Sequence, residues 1–346
     1  MTSDDILKAA IASKTQKIEP ETHFKEGRFF NPHQKDSKRK LWHVFLWQIG
    51  YYNDPKPAIL PPVDFAYPQA HTEPSSESSV QWINHSTFLI RHKNINILTD
   101  PIWSRRASPI RFLGPKRKFQ PAISIKKLPP IHYVLISHDH YDHLDVRAIK
   151  FLKANQPQAI FCIPLGLKAW FVKRGITNLI ELDWWQQVLL PVTATESIQI
   201  TSVPAQHFSG RKLYGRDKTL WCGWVCEFTS KTEKSKKLYF VGDTGYNEFD
   251  FRKIGEVFGH IDLGIIPIGS YVPRRFMAPV HISPEEACKI HQEAKSTLSI
   301  AGHFGTFRLG EEHHKRPPFD LYKTLEKEKI PHDEFIVPLP GNIYYW

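Results

Sequence analysis

The stretch Ser137-His138-Asp139-His140-Tyr141-Asp142-His143 decides how this chain folds. It gathers three imidazoles and the Asp142 carboxylate directly behind an apolar run, Tyr133-Val134-Leu135-Ile136, so a strand delivers metal-type ligands onto a loop. Imidazole nitrogen and carboxylate oxygen without thiolate suit zinc or a similar divalent ion. His138 and His140 stand two apart and point the same way on an extended segment. Asp142 and His143 follow after a turn and address a second position. Together these ligands overfill one catalytic ion, which keeps an open position, and they suit two half-sites of a two-metal centre. Asp139 reads as solvated.

Outward from that loop, short β-rich runs recur from Val80 onward: Val80–Ile83, Thr87–Ile90, Ile95–Leu98, Ala159–Ile163, Ile198–Val203, Trp221–Phe228, Leu238–Val241, Leu263–Ile268 and Leu298–Ala301. Helical stretches over 145–154, 165–174 and 284–295 fall between some of them. The last opens with Ser283 as N-cap, Pro284 at the first helical position and Glu286 three after the cap. Early strands read as hairpins and later ones alternate with helices. The expected fold class is therefore α/β, two sheets packed face to face with helices outside.

Residues 80–346 read as the catalytic domain and residues 1–79 as an N-terminal extension and linker, partly packed on it. Within the extension a basic run, Lys35 to Lys40, leads into the aromatic segment 41–52. That segment is expected to cover a core; a place at membrane headgroup depth is the competing reading.

The chain has 346 residues, 41% of them hydrophobic and 23% charged, as in an ordinary globular protein. The formal net charge of +11 favours anionic partners such as phospholipid headgroups, phosphorylated substrates or nucleic acid. Cys162, Cys222, Cys226 and Cys288 form no C-x-x-C pair, so reduced thiols and a reducing, cytoplasmic setting are expected. No signal-peptide pattern opens the sequence, and no apolar run reaches membrane-spanning length.

Three later strands each end in a further candidate ligand: His207, Asp243 after Gly242, and His303 after Gly302. Ligands at strand ends are how a rigid scaffold builds a site on its loops. Glycine beside a ligand permits a close turn or a close approach.

This pattern, His-x-His-x-Asp-His followed by His, Asp and His at strand ends, resembles the metallo-β-lactamase superfamily. Leu98-Thr99-Asp100-Pro101, Ser108-Pro109 with Gly114-Pro115-Lys116, Leu182-Asp183-Trp184-Trp185, Gly242-Asp243-Thr244-Gly245-Tyr246, Ile266-Pro267-Ile268-Gly269 and His303-Phe304-Gly305-Thr306 narrow the resemblance. They resemble the branch of N-acylphosphatidylethanolamine-hydrolysing phospholipase D, from about Trp82 to the C-terminal region. Asn84-His85-Ser86-Thr87 departs from the family's Gly-His-Ala/Ser-Thr; Asn84 is expected to keep the turn by adopting positive φ.

The resemblance implies a four-layer αββα sandwich holding two zinc ions. It implies His138, His140 and His207 on one ion, Asp142, His143 and His303 on the other, Asp243 between them, and Asp100 orienting a ligand imidazole. It implies catalytic roles for Asp142 and Asp243, and for His281, whose segment Met277-Ala278-Pro279-Val280-His281 resembles the family's active-site loop. The activity implied is phosphodiester hydrolysis of N-acylphosphatidylethanolamine, yielding phosphatidic acid and N-acylethanolamine, with a hydroxide shared by the two ions as nucleophile.

The expected partners are a phospholipid substrate and an anionic membrane surface, contacted peripherally. Tyr141 is expected either to border the metal pocket or to pack under the loop. Arg274 and Arg275 are expected to meet lipid phosphates, and Phe276 and Met277 to meet acyl chains. Another hydrolase on the same fold, for a lactone, nucleotide or RNA, is the alternative; the short span between Asp243 and His303 disfavours an RNA-processing relative with a large inserted domain. A metal-stabilised scaffold without activity is a third reading, opposed by the complete ligand set. Oligomeric state stays open at this level, a homodimer included.

Overall fold

Side chains alternate along the buried strands, and that alternation builds the layers. The computed structural model describes residues 3–34, 51–52, 61–62, 65–68, 78–211 and 215–346. The basic run 35–40 and the aromatic segment 41–52, apart from Tyr51 and Tyr52, lie outside them.

The strands in chain order are β1 (Thr15–Gln16), the small hairpin β2 (Phe24–Lys25) and β3 (Arg28–Phe29), β4 (Ser78–Asn84), β5 (Thr87–His92), β6 (Ile95–Thr99), β7 (Tyr133–Leu135), β8 (Ile160–Pro164), β9 (Leu179–Leu182), β10 (Gln186–Pro191), β11 (Glu196–Val203), β12 (Gly223–Ser230), β13 (Lys236–Phe240), β14 (Ile261–Pro267), β15 (Ser296–Gly302), β16 (Phe335–Ile336) and β17 (Ile343–Tyr345). One sheet runs β17-β4-β5-β6-β7-β8-β9 and the other β1-β10-β11-β12-β13-β14-β15-β16. In the first sheet Leu89, Val134, Phe161 and Ile163 face outward onto Ile149 and Leu152 of the helix Val146–Asn155. Their neighbours Phe88, Ile90, Tyr133, Leu135 and Cys162 face inward and join a core shared with the second sheet. Helices Asp250–Phe258, Pro284–Glu293 and Arg316–Glu328 cover the second sheet, burying Phe251, Ile290 and Leu325 among others. This is the expected αββα sandwich.

β6 to β9 run parallel, as do β13 to β16. Their C-terminal ends therefore share one rim of each sheet, the usual location of a site in open α/β sheets. The second sheet also grips the strand that carries the His-rich loop. Cys222 N donates to Ser137 O at 3.0 Å, and Trp224 Nε1 donates to Ile136 O at 2.9 Å.

Several elements escape a reading of local pattern. β9 and β10 flank Asp183-Trp184-Trp185, and helix Arg316–Glu328 starts on Pro317 and Pro318. Prolines there look like loop punctuation, yet the first helical turn accepts them because its N–H groups have no intrahelical partner. The N-terminal region contributes too: β1 pairs antiparallel with β10, and Phe29 N donates to Asp217 O at 2.7 Å. All four cysteines are buried and unpaired. Among the described residues no helix is long and apolar enough to cross a membrane.

Candidate metal centre

The His-rich loop is a tight turn clamped from both sides. His140 O accepts from His143 N at 3.2 Å and from Leu144 N at 2.8 Å. The next residue, Asp145, caps the following helix by accepting from Arg147 N at 3.0 Å. The same carboxylate accepts from Trp103 N at 3.1 Å and Ser104 N at 2.8 Å, tying down the chain just after β6. Gly242, at φ +70, lets the Asp243 loop press against this turn: a Cβ there would lie 2.9 Å from Ser137 Cβ. Gly302 serves closeness alone, with a Cβ meeting the Phe88 ring at 3.1 Å.

His138, His140 and His207 meet first. His138 Nε2 lies 2.8 Å from His140 Nδ1, which lies 3.2 Å from His207 Nε2. The outer nitrogens set the ring orientations. His207 Nδ1 lies 2.9 Å from Val280 O; a carbonyl only accepts, so Nδ1 carries the proton and the Nε2 lone pair faces its neighbours. His138 Nδ1 lies 2.8 Å from Ser137 Oγ, which itself bonds Asp100.

The second group forms around two carboxylates. His143 Nε2 lies 3.3 Å from both Asp142 Oδ2 and Asp243 Oδ2, and His303 Nε2 lies 3.5 and 3.0 Å from the same two atoms. Asp243 Oδ2 also sits 3.9 Å from His207 Nε2, so it stands between the groups. Asp100, fully buried, accepts from His143 Nδ1 at 2.6 Å and from Ser137 N at 2.8 Å, which orients the His143 ring. His281 reaches the same space, with Nδ1 3.8 Å from Asp243 Oδ2.

Charge in this cluster is strongly coupled. Burial opposes protonation of His143, yet Asp243, Asp142 and Asp100 together raise its pKa well above the ordinary value. Burial opposes ionisation of Asp243, but His143 and His303 hold its carboxyl well below the usual range. Burial lowers the His281 imidazole to about 3, against the pull of Asp243.

A donor set with this geometry fits divalent cations on a specific ground. His143 Nε2, His303 Nε2 and Asp243 Oδ1 are buried without a hydrogen-bond partner, although their neighbours lie close. An orphaned buried polar atom costs about 1–3 kcal/mol, and several that converge are paired most simply by a cation. The set contains nitrogen and oxygen only, as zinc and similar ions accept.

The other residues singled out in the sequence take a range of positions. Asp139 is buried, not solvated, because its Oδ1 accepts from Gly210 N at 2.9 Å. Of the two places expected for Tyr141, packing is what its contacts describe: its hydroxyl donates to Arg211 O at 3.0 Å, and the Arg211 guanidinium lies 4.1 Å over its ring. The segment Arg274–Met277 is a short helix that buries Phe276 and Met277. Arg274 bonds His281 O at 2.6 Å and pairs with Glu286, so its charge is already engaged inside the protein. Arg275 is exposed and lies over Tyr51 and Tyr52. In the β4–β5 turn, positive φ belongs to His85 (φ 48), not Asn84, which stays in the strand.

His85 and Asn31 are two contributors that sequence reasoning missed. His85 Nε2 lies 3.0 Å from Asp142 Oδ2, and His85 O accepts from His303 N at 3.0 Å. The motif Asn84-His85-Ser86-Thr87, read in the sequence only for its turn, was the signal for it. Asn31 donates to His207 O at 2.8 Å and accepts from Trp221 Nε1 at 2.9 Å. Nearby, Gln34 donates to Pro279 O at 3.1 Å in the His281 loop. These contacts span well over a hundred residues, and nothing local in the sequence marks them.

Comparison with known proteins agrees with this geometry. Residues 95–304 match the family described as "Beta-lactamase superfamily domain". N-acyl-phosphatidylethanolamine-hydrolyzing phospholipase D 1 of Caenorhabditis elegans is 37% identical over 270 residues, covering 76% of this chain and 74% of that one. The mitochondrial N-acyl-phosphatidylethanolamine-hydrolyzing phospholipase D of Saccharomyces cerevisiae is 32% identical over 246 residues, 71% of this chain and 51% of the yeast chain. In fold, the chain is similar to the metallo hydrolase Igni18 of Ignicoccus hospitalis, with a TM-score of 0.54 at 18% identity, over 78% of this chain and 98% of that one. The chain thus belongs to the beta-lactamase superfamily, on the branch of the N-acylphosphatidylethanolamine-hydrolysing phospholipases D, and is a metal-dependent hydrolase of that fold.

Proposed function

We propose that this chain is a zinc-dependent phosphodiesterase of the phospholipase D type, which releases phosphatidic acid and N-acylethanolamine from N-acylphosphatidylethanolamine. The observation that carries the reading is the 37% identity to a relative named for that reaction, beside a family match over residues 95–304 that takes in the cluster from Asp100 to His303. In this reading His138, His140 and His207 would hold one ion, Asp142, His143 and His303 would hold a second, and Asp243 would serve both. Two such ions supply a water of lowered pKa and polarise phosphoryl oxygens.

The remaining steps belong to the chain's own groups. Asp100 fixes the His143 ring and the Val280 carbonyl fixes the His207 ring, so both present a lone pair without rotating. His281, a neutral imidazole at the edge of the cluster, donates a ring N–H to a phosphate oxygen and so aligns the diester. The formal net charge of +11 raises the local concentration of anionic lipid. No Ser or Cys nucleophile is required, in keeping with cysteines that are all buried.

The test is product analysis on mixed phospholipids in detergent micelles, in water enriched in ¹⁸O. The expected result is phosphatidic acid carrying the label together with free N-acylethanolamine, both lost on chelation and in Asp243→Asn. Intact N-acylphosphatidylethanolamine alongside rapid cleavage of a lactone or of RNA would remove the lipid assignment and leave the metal centre standing.

A further inference from the structure

A pocket of about 610 Å³ opens beside the His303 loop, within the size range of small-molecule sites. Its floor is aromatic. Trp82 stacks on Phe304, the residue after His303, with centroids 4.8 Å apart, and Phe119 meets Trp82 at 5.6 Å. Their neighbours turn polar atoms away: Trp82 Nε1 donates to His85 O at 2.8 Å, and the Tyr67 hydroxyl donates to Phe335 O at 2.7 Å. Pro338 and Pro340 line one wall and offer no N–H, while Leu339 between them is 46% exposed.

The mouth is different in character. Lys118, His314 and Lys315 stand there, and among the described residues no carboxylate lines the pocket. His314 registers the local field: some burial, then His313, Lys315 and Lys118, lower its pKa. Lys118 is fixed in place, its N donating to Thr306 O at 2.8 Å on the same loop as His303. An apolar hollow closed by cations selects for a ligand with an alkyl body and a negative head.

We propose that this pocket binds the alkyl chain of an anionic amphiphile, with Lys118 and Lys315 meeting its carboxylate or phosphate head. The chain lies against Trp82, Phe119 and Phe304. The assignment holds whichever ester the neighbouring centre cleaves, because it rests on the lining and the rim alone.

The test titrates the full chain with palmitate and with hexadecyltrimethylammonium below micelle formation, read by calorimetry and tryptophan fluorescence. Palmitate should saturate near one per chain and bind about 10-fold more tightly than the cationic amphiphile of equal chain length. Lys118→Glu should erase most of that preference. Leu339→Trp, which fills the pocket from an exposed position, should weaken palmitate about 10-fold while melting temperature and bound metal stay unchanged. Absent saturation, equal affinity for the two heads, or indifference to Leu339→Trp would each overturn the proposal. Palmitate raising KM for phospholipid identifies the occupant as the substrate's own chain. Saturation with KM unchanged identifies a separate fatty acid; either result places an alkyl chain in the pocket.

Discussion

Asn31 shows how a single amide far away in sequence can set a ligand's position. It bonds the backbone carbonyl of His207 while Trp221 holds its oxygen. Asn31→Ala should cost about 1–2 kcal/mol in urea unfolding and weaken metal binding about 10-fold in chelator competition. Asn31→Asp should fail in the same way, because a carboxylate keeps the Trp221 bond but cannot donate to a carbonyl. Normal metal affinity in Asn31→Asp would show that the His207 contact does nothing for the site. At this scale the sequence was uneven. His138, His140, Asp142 and His143 announce themselves because they are adjacent, and Asp100 by its Thr-Asp-Pro setting. Asn31 gives no local sign, since only tertiary folding brings it to His207. The short helix at Arg274 to Met277 was not legible, because four residues give no helical period to read and its burial of Phe276 and Met277 comes from tertiary packing.

Among the elements, the helix Val146–Asn155 matters most to the site, because its cap also anchors the chain after β6. Asp145→Ala leaves Trp103 N, Ser104 N and the helix start without their acceptor, and should cost about 2 kcal/mol in urea unfolding with an unchanged m-value. A loss within error would mean that water replaces the carboxylate. Helix Pro284–Glu293 carries a pH-dependent term. His291 is buried with Nδ1 2.9 Å from Ser299 Oγ, and burial lowers its pKa to about 4 from 6.5. The folded state favours the neutral ring, so its contribution is intact above about pH 6.5, falls as pH drops toward 4, and is constant below that. The loss is roughly 3 kcal/mol, and His291→Gln should flatten the stability profile across that window. Ser283, Pro284 and Glu286 made this helix legible, and its capping box forms as read. β9 and β10 were not legible, because β9 is four residues long and β10 opens on Gln186-Gln187 and closes on Pro191, which leaves too little apolar alternation to read even though each pairs with a neighbour in sequence, β8 or β11.

For the molecule as a whole, the two sheets bring the loops after β6, β7, β11, β13, β14 and β15 to one place, and the rest of the chain holds them there. The sandwich was readable from strand after strand of buried β-branched and aromatic residues. The contribution of the N-terminal region to that rim was not, because β1 and Asn31 gain their meaning only from distant partners. The central claim is that these loops clamp a pair of divalent cations. Metal content of the purified chain by plasma mass spectrometry, alone and in His207→Ala and His303→Ala, tests it most directly. The account predicts about two equivalents of metal per chain, with each variant losing about one. Less than one equivalent in the unaltered chain, or equal content in all three proteins, would contradict it.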